Sequence, residues 1–209
     1  NNKVDKGALL INYTGHGGPL GWTQERILEV DQIKSCFNID NLPLFMTATC
    51  KFSCFDNPEE KSAGEYLLLN ENGGAIALLS TTRLVFVGPN YNLNTKFIQN
   101  IFKKKDGKFL RLGDLFKTTK VLSGTNLNNR NFTLLGDPAL RLVYPKYDVI
   151  TTIIADTLKA LGEVSIDGEI RDNGSLLTNF NGTIYPTVYD KEIIKTTLGQ
   201  ESCTHMPYR

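Results

Sequence analysis

Residues 8–18, ALLINYTGHGG, and residues 42–50, LPLFMTATC, decide the fold. Each opens with a short apolar run, Ala8 to Tyr13 and Leu42 to Thr49, and the first is bounded by Gly7 and the cluster at Gly15. Apolar runs of that length between turn signals read as buried strands. A third, GAIALLS, covers 74–80. Between the second and third lies PEEKSAGEYLLLN, 58–70, rich in helix formers with acids in its first turn, so it is predicted to be helical. The segment 92–104 places Phe97, Ile98, Ile101 and Phe102 at helical spacing, and 112–122 reads as another helix. Strands alternating with helices imply a mostly parallel sheet with helices on both faces, a three-layer α/β sandwich.

The composition agrees with a folded chain. Apolar residues make up 41% and charged residues 22% of the 209, enough apolar mass to exclude general disorder. The formal net charge of +1 gives no electrostatic footprint for nucleic acid or an anionic membrane. No apolar run approaches the roughly 18 residues that span a bilayer. The chain opens on Asn1 and ends in ESCTHMPYR, and both ends are expected to be cuts into a longer protein. Four cysteines, Cys36, Cys50, Cys54 and Cys203, stand at irregular spacings that make no disulfide framework.

The pattern changes near Tyr144-Pro145. Residues 1–147 are expected to form the α/β part. Residues 148–209 carry short alternating runs, Glu163 to Ile170 and Thr183 to Tyr189, punctuated by Asp172-Asn173-Gly174 and Asn179 to Gly182. Antiparallel β structure of immunoglobulin type is expected there, truncated because a complete domain needs about 100 residues.

His16 follows the first strand and Cys50 closes the second. Neighbouring parallel strands end side by side, so both residues are expected at the carboxyl edge of the sheet, where α/β ligand sites form. Gly15, Gly17 and Gly18 permit tight turns and close backbone approach. The chemistry that fits is thiolate attack. A thiol ionises near pH ~8.5 and needs a base at neutral pH, and an imidazole can take that proton and return it to a leaving amine. The oxyanion then needs amide donors, for which Gly17 and Cys50 are candidates. No acid in the chain is an obvious partner for the imidazole.

These strings resemble a known family. An apolar strand ending in His-Gly and a second ending in Ala/Thr-Cys is the pattern of the caspase–legumain–gingipain superfamily. NYTGHG followed by Trp22, then CKFSCFDNPEEKSAGEYLL, GGAIALLSTTR and LLGDPALRL, looks like the gingipain family of bacterial cysteine peptidases. GEVSIDGEIRDNGSLLTNFNGTIYPTVYDK is similar to the β domain of the type IX secretion sortases of Bacteroidetes. The resemblance implies a cysteine endopeptidase with Cys50 as nucleophile, His16 as base, and Gly17 and Cys50 as oxyanion donors. It implies substrate contacts at Ser80 and Thr81, and places the histidine-orienting acid and half the sheet before residue 1; Trp22 is a candidate substrate contact that could instead pack under the loop. The sortase branch implies an outer-membrane protease that removes carboxy-terminal secretion signals from exported proteins, with other type IX secretion components as partners. No cofactor or metal is implied.

Plainer readings compete. Cys50 alone could be a buried structural thiol. The Cys50–Cys54 pair with His16, Cys203 and His205 makes a metal count, yet the spacing matches no standard zinc site. Asp137, between Gly136 and Pro138, reads as a turn residue. A degenerate, non-catalytic surface module and a general secreted protease are the alternatives, and an arginine- or lysine-specific protease would need an acidic pocket residue that the sequence does not clearly supply.

Overall fold

In a computed structural model of the chain, residues 4, 6–23, 27–153, 161–184, 186–189, 193–194 and 207–208 are described. Two compact units are found, Asn1–Tyr144 and Pro145–Arg209.

The first unit is built on a four-stranded sheet. Its strands are Leu10–Thr14 (β1), Leu44–Ala48 (β5), Ala77–Thr81 (β6) and Phe132–Leu135 (β9), in the order β1-β5-β6-β9. β1 pairs parallel to β5 and β5 parallel to β6, while β9 runs antiparallel to β6. The three expected apolar runs supply the parallel strands. Every residue of β5 and β6 is buried, as expected for parallel strands covered on both faces.

Alternation along the strands sorts their side chains into two cores. Leu44, Met46, Ala48, Ala77 and Leu79 pack with Leu93, Phe97 and Ile101 of helix α3 (Val87–Ile101) and with Leu112 and Leu115 of α4 (Leu112–Leu122). Phe45 and Leu78 face the other way, onto Ile33 of α1 (Val30–Lys34) and Ala63 and Leu67 of α2 (Ala63–Leu68). Helices therefore cover both faces, and the three layers expected from the sequence are present. Helix α2 begins at a capping box in which Ser62 and Glu65 satisfy each other's backbone donors.

Several details differ from the sequence reading. Helix α3 starts five residues before position 92, and its buried stripe runs through Leu93, Phe97 and Ile101, while Ile98 and Phe102 are exposed. Strand β9, helix α5 (Leu127–Asn131) and the hairpins Gly17–Gly18 (β2), Gly21–Trp22 (β3), Leu28–Glu29 (β4) and Lys104–Lys105 (β7), Lys108–Phe109 (β8) carry no strong apolar period. Asp137 makes a turn, its Oδ1 accepting from the Ala139 amide at 2.8 Å.

In the second unit, Asp148–Ile153 (β10), Asp167–Asp172 (β11) and Ser175–Leu176 (β12) form an antiparallel sheet. Asn173 and Gly174 turn between β11 and β12 with φ of 50° and 84°, the left-handed pair that a tight hairpin needs. A second antiparallel pair joins Ile193–Ile194 to Pro207–Tyr208, and the alternating run 183–189 forms no strand over its described residues, so the described strands of this unit number five where an immunoglobulin sandwich needs about seven. Cys203 and His205 lie outside the described residues.

Candidate active site

The site follows from one register. Thr14 pairs with Ala48 at the carboxyl ends of β1 and β5. His16 stands two residues past Thr14, and Cys50 two residues past Ala48. The loops that carry them touch. The Gly15 amide donates to Ala48 O at 3.4 Å, and a Cβ added at Gly17 would collide with Thr49 Oγ1. Glycine is thus required at 17 for contact with the residue before Cys50.

Each loop is held from several sides. His16 O accepts from Tyr13 Oη at 2.8 Å and from the Thr23 amide at 3.0 Å. Tyr13 stacks on Trp22 with ring centroids 4.3 Å apart. In the second loop, Lys51 turns with φ of 51°, a left-handed conformation unusual for a side chain of that kind. Lys51 N donates to Arg83 O at 3.2 Å, and Ser53 N to Thr81 O at 3.0 Å. Helix α2 ties the loops together: Ala63 N donates to Pro19 O at 2.6 Å, and Gly64 N to Phe52 O at 2.8 Å.

His16 is exposed and Cys50 half-buried. The Cys50 Sγ–H donates to Val85 O at 3.6 Å, and no hydrogen bond joins the thiol to the imidazole among the described residues. The segment that carries Val85 exposes Leu84, Phe86 and Val87, and Tyr91 of α3 is exposed as well. Arg83, in the same segment, holds Asp56 in a bidentate pair and keeps that carboxyl below the usual carboxylate range.

Three residues expected to touch substrate sit deeper. Trp22 is buried among Phe45 and Phe52. Ser80 and Thr81 are fully buried in β6, where the Ser80 hydroxyl accepts from Thr47 Oγ1 at 2.7 Å and Thr81 Oγ1 donates to Thr49 O. Alternation on the strand turns both side chains into the layers, so they support the site from beneath. Cys54, the neighbouring thiol, is buried, and burial pushes it above the usual thiol range. Among the described residues, no group of three or more His, Cys, Asp or Glu could hold a metal ion.

Sequence reasoning missed the asparagines behind the site. Asn90 Nδ2 donates to Ala48 O at 3.4 Å, and Asn90 Oδ1 accepts from Asn128 at 3.1 Å. Asn94 Nδ2 donates to Thr14 Oγ1 at 2.8 Å. The available signal was their spacing: two poor helix formers four residues apart in the string PNYNLN.

The sequence profile of peptidase family C25 matches residues 1–143. The chain belongs to that family, the gingipain-type cysteine peptidases. Solved structures similar to this C25 chain include the Arg-specific cysteine proteinase gingipain R (RgpB), at 18% identity and a TM-score of 0.59, covering 83% of this chain and 46% of that one. A complex of the pro- and mature domains of Porphyromonas gingivalis RgpB matches at 17% identity and a TM-score of 0.59, covering 83% and 48%. A structure described as a protease matches at 16% identity and 0.55, covering 83% and 45%. At these identities the likeness is one of fold, and the chain spans about half the length of the structures it matches. A search of curated protein sequences gives no match. The expected gingipain-like α/β fold is thereby borne out.

Proposed function

We propose that this C25 chain carries the catalytic centre of a cysteine endopeptidase, with Cys50 as nucleophile and His16 as general base. The observation that carries the reading is the shared register: two adjacent parallel strands deliver a thiol and an imidazole at the same offset past Thr14 and Ala48. The Cys50 proton passes to His16, and the thiolate attacks the scissile carbonyl carbon. The amides of Gly17 and Cys50 hold the oxyanion. The C–N bond then breaks as the imidazolium gives its proton to the leaving amine, leaving a thioester that water, or an amine in a transpeptidation, resolves.

The finer reading is a type IX secretion sortase at the outer-membrane surface, acting on exported proteins with carboxy-terminal signals alongside other type IX secretion components. The family and the FNGTIYPTVYDK string support it. The exposed apolar side chains flanking Val85 (Leu84, Phe86 and Val87) and the commitment of Asp56 to Arg83 favour uncharged substrate side chains over arginine or lysine.

The test is peptide cleavage by the full chain and its Cys50→Ala and His16→Ala variants, with matched apolar and arginyl peptides. Cys50→Ala is expected to abolish turnover, and His16→Ala to lower it on the order of 10²- to 10⁴-fold. Unchanged turnover in Cys50→Ala would end the reading and leave a non-catalytic module. Faster cleavage of the arginyl peptides would replace the sortase reading with that of a general secreted protease.

A further inference from the structure

We infer that Asn128 is a positioning residue for the Cys50 thiol, an inference that rests on Cys50 being the nucleophile proposed above. Residues 126–131, NLNNRN, are rich in poor helix formers, and the asparagines of the short helix α5 bond to backbone outside it. Two of them reach the segment that follows β6. Asn131 Nδ2 donates to Leu84 O at 2.9 Å. Asn128 brackets Phe86: its Oδ1 accepts from the Phe86 amide at 3.2 Å, and its Nδ2 donates to Phe86 O at 2.9 Å. Asn128 is 2% exposed, so these bonds are made out of reach of water.

The Phe86 amide and the Val85 carbonyl belong to one planar trans peptide, whose N–H and C=O point in opposite directions. Fixing the first therefore aims the second. Val85 O is the acceptor of the Cys50 Sγ–H at 3.6 Å. Asn128 Oδ1 thus stands behind the peptide that faces the thiol, and it polarises that carbonyl towards a weak donor. The same side chain is tied to the strand that delivers Cys50. Asn128 Nδ2 donates to Asn90 Oδ1 at 3.1 Å, and Asn90 Nδ2 donates to Ala48 O at 3.4 Å, two residues before Cys50. The bonds close a circuit from the thiol through the Val85–Phe86 peptide, Asn128, Asn90 and Ala48, and back along the chain to Cys50. That circuit holds Sγ in one place between the strand end and the segment, so the thiol meets a substrate carbonyl in one geometry.

The experiment reads the Cys50 S–H stretching band by infrared spectroscopy of the full chain, the band being assigned by its loss in Cys50→Ala. A hydrogen-bonded S–H absorbs at lower frequency than a free one. Asn128→Leu, which removes the acceptor behind the peptide, should move the Cys50 band to higher frequency. The Cys36 band, assigned through Cys36→Ala, should stay in place, because that thiol donates to Gln32 O instead. Turnover of the apolar peptides should fall on the order of 10-fold in kcat, with a smaller change in KM. Asn128→Asp keeps an acceptor for the Phe86 amide and should hold the Cys50 band near the parent's. Asn128→Ala serves as the second variant if leucine prevents folding, and the same shift is expected. An unmoved Cys50 band or an unmoved kcat in a folded Asn128→Leu or Asn128→Ala protein overturns the inference. So does a shift of both bands, which would mean that Asn128 acts on the whole fold. An Asn128→Asp band displaced as far as that of Asn128→Leu overturns it too, since the acceptor would then be irrelevant. No turnover in the parent, or parent-like turnover in Cys50→Ala, is a different failure: it ends the nucleophile reading, and the positioning role falls with it even where the band shifts.

Discussion

At the scale of single residues, the two thiols four positions apart are set up for different fates. Cys50 is half-buried at the end of β5, beside a left-handed turn at Lys51. Cys54 is buried, and burial, with Glu65, Asp56 and Glu60 pushing the same way, raises its thiol above the usual range, against one backbone hydrogen bond that lowers it. A raised thiol favours the native state below the unfolded-state value near pH ~8.5, and that contribution is lost as pH rises past it. Stability should therefore fall on the alkaline side, and the fall should shrink in Cys54→Ala, as chemical denaturation at near-neutral and alkaline pH would show. An identical alkaline fall in the variant would assign it to other groups. The neighbouring Gly17 was legible as a close-approach glycine, but its contact with Thr49 was not, because the two lie on separate strands.

At the scale of elements, helix α2 joins the two loops of the site. Its first two amides reach Pro19 O in the histidine loop and Phe52 O in the cysteine loop. Ser62, its cap, accepts from the backbone and donates to Glu65. Ser62→Ala should cost about 1 kcal/mol in stability. It should also lower kcat more than it raises KM, because the loops lose a shared support while the outer substrate surface is unchanged. A loss confined to KM would place the cap's effect on binding. A helix was readable from the helix formers of 58–70, but it runs only over Ala63–Leu68: the acids expected in its first turn, Glu59 and Glu60, precede the Ser62 cap, which pairs with Glu65 instead. The early start of α3 was not readable. Phe86, its cap, donates its amide to Asn128 Oδ1, a residue 42 positions away, and no local pattern announces such a partner. Of the four apolar residues expected on one face of α3, Phe97 and Ile101 are buried and Ile98 and Phe102 are exposed.

At the scale of the whole molecule, the first unit depends on a sheet buried between helices on both faces. Phe97 is fully buried between α3 and the strands. Phe97→Ala should cost about 3–5 kcal/mol, seen as a lower denaturation midpoint. A loss under ~1 kcal/mol would mean that α3 repacks easily, and the placement of Asn90 and Asn94 would then carry less weight. By itself, the sequence determined the three parallel strands, the helices between them, and the placing of His16 and Cys50 two residues past paired strand ends. Apolar period, strand length and glycine placement are local properties, and parallel strands of similar length end together. Only the tertiary structure decided the antiparallel β9, the burial of Trp22, Ser80 and Thr81, and the asparagine supports behind the strand ends. Each of these rests on a contact between residues far apart in the chain, such as Thr81 with Thr49 or Asn94 with Thr14, and long-range pairing leaves no periodic trace in either partner.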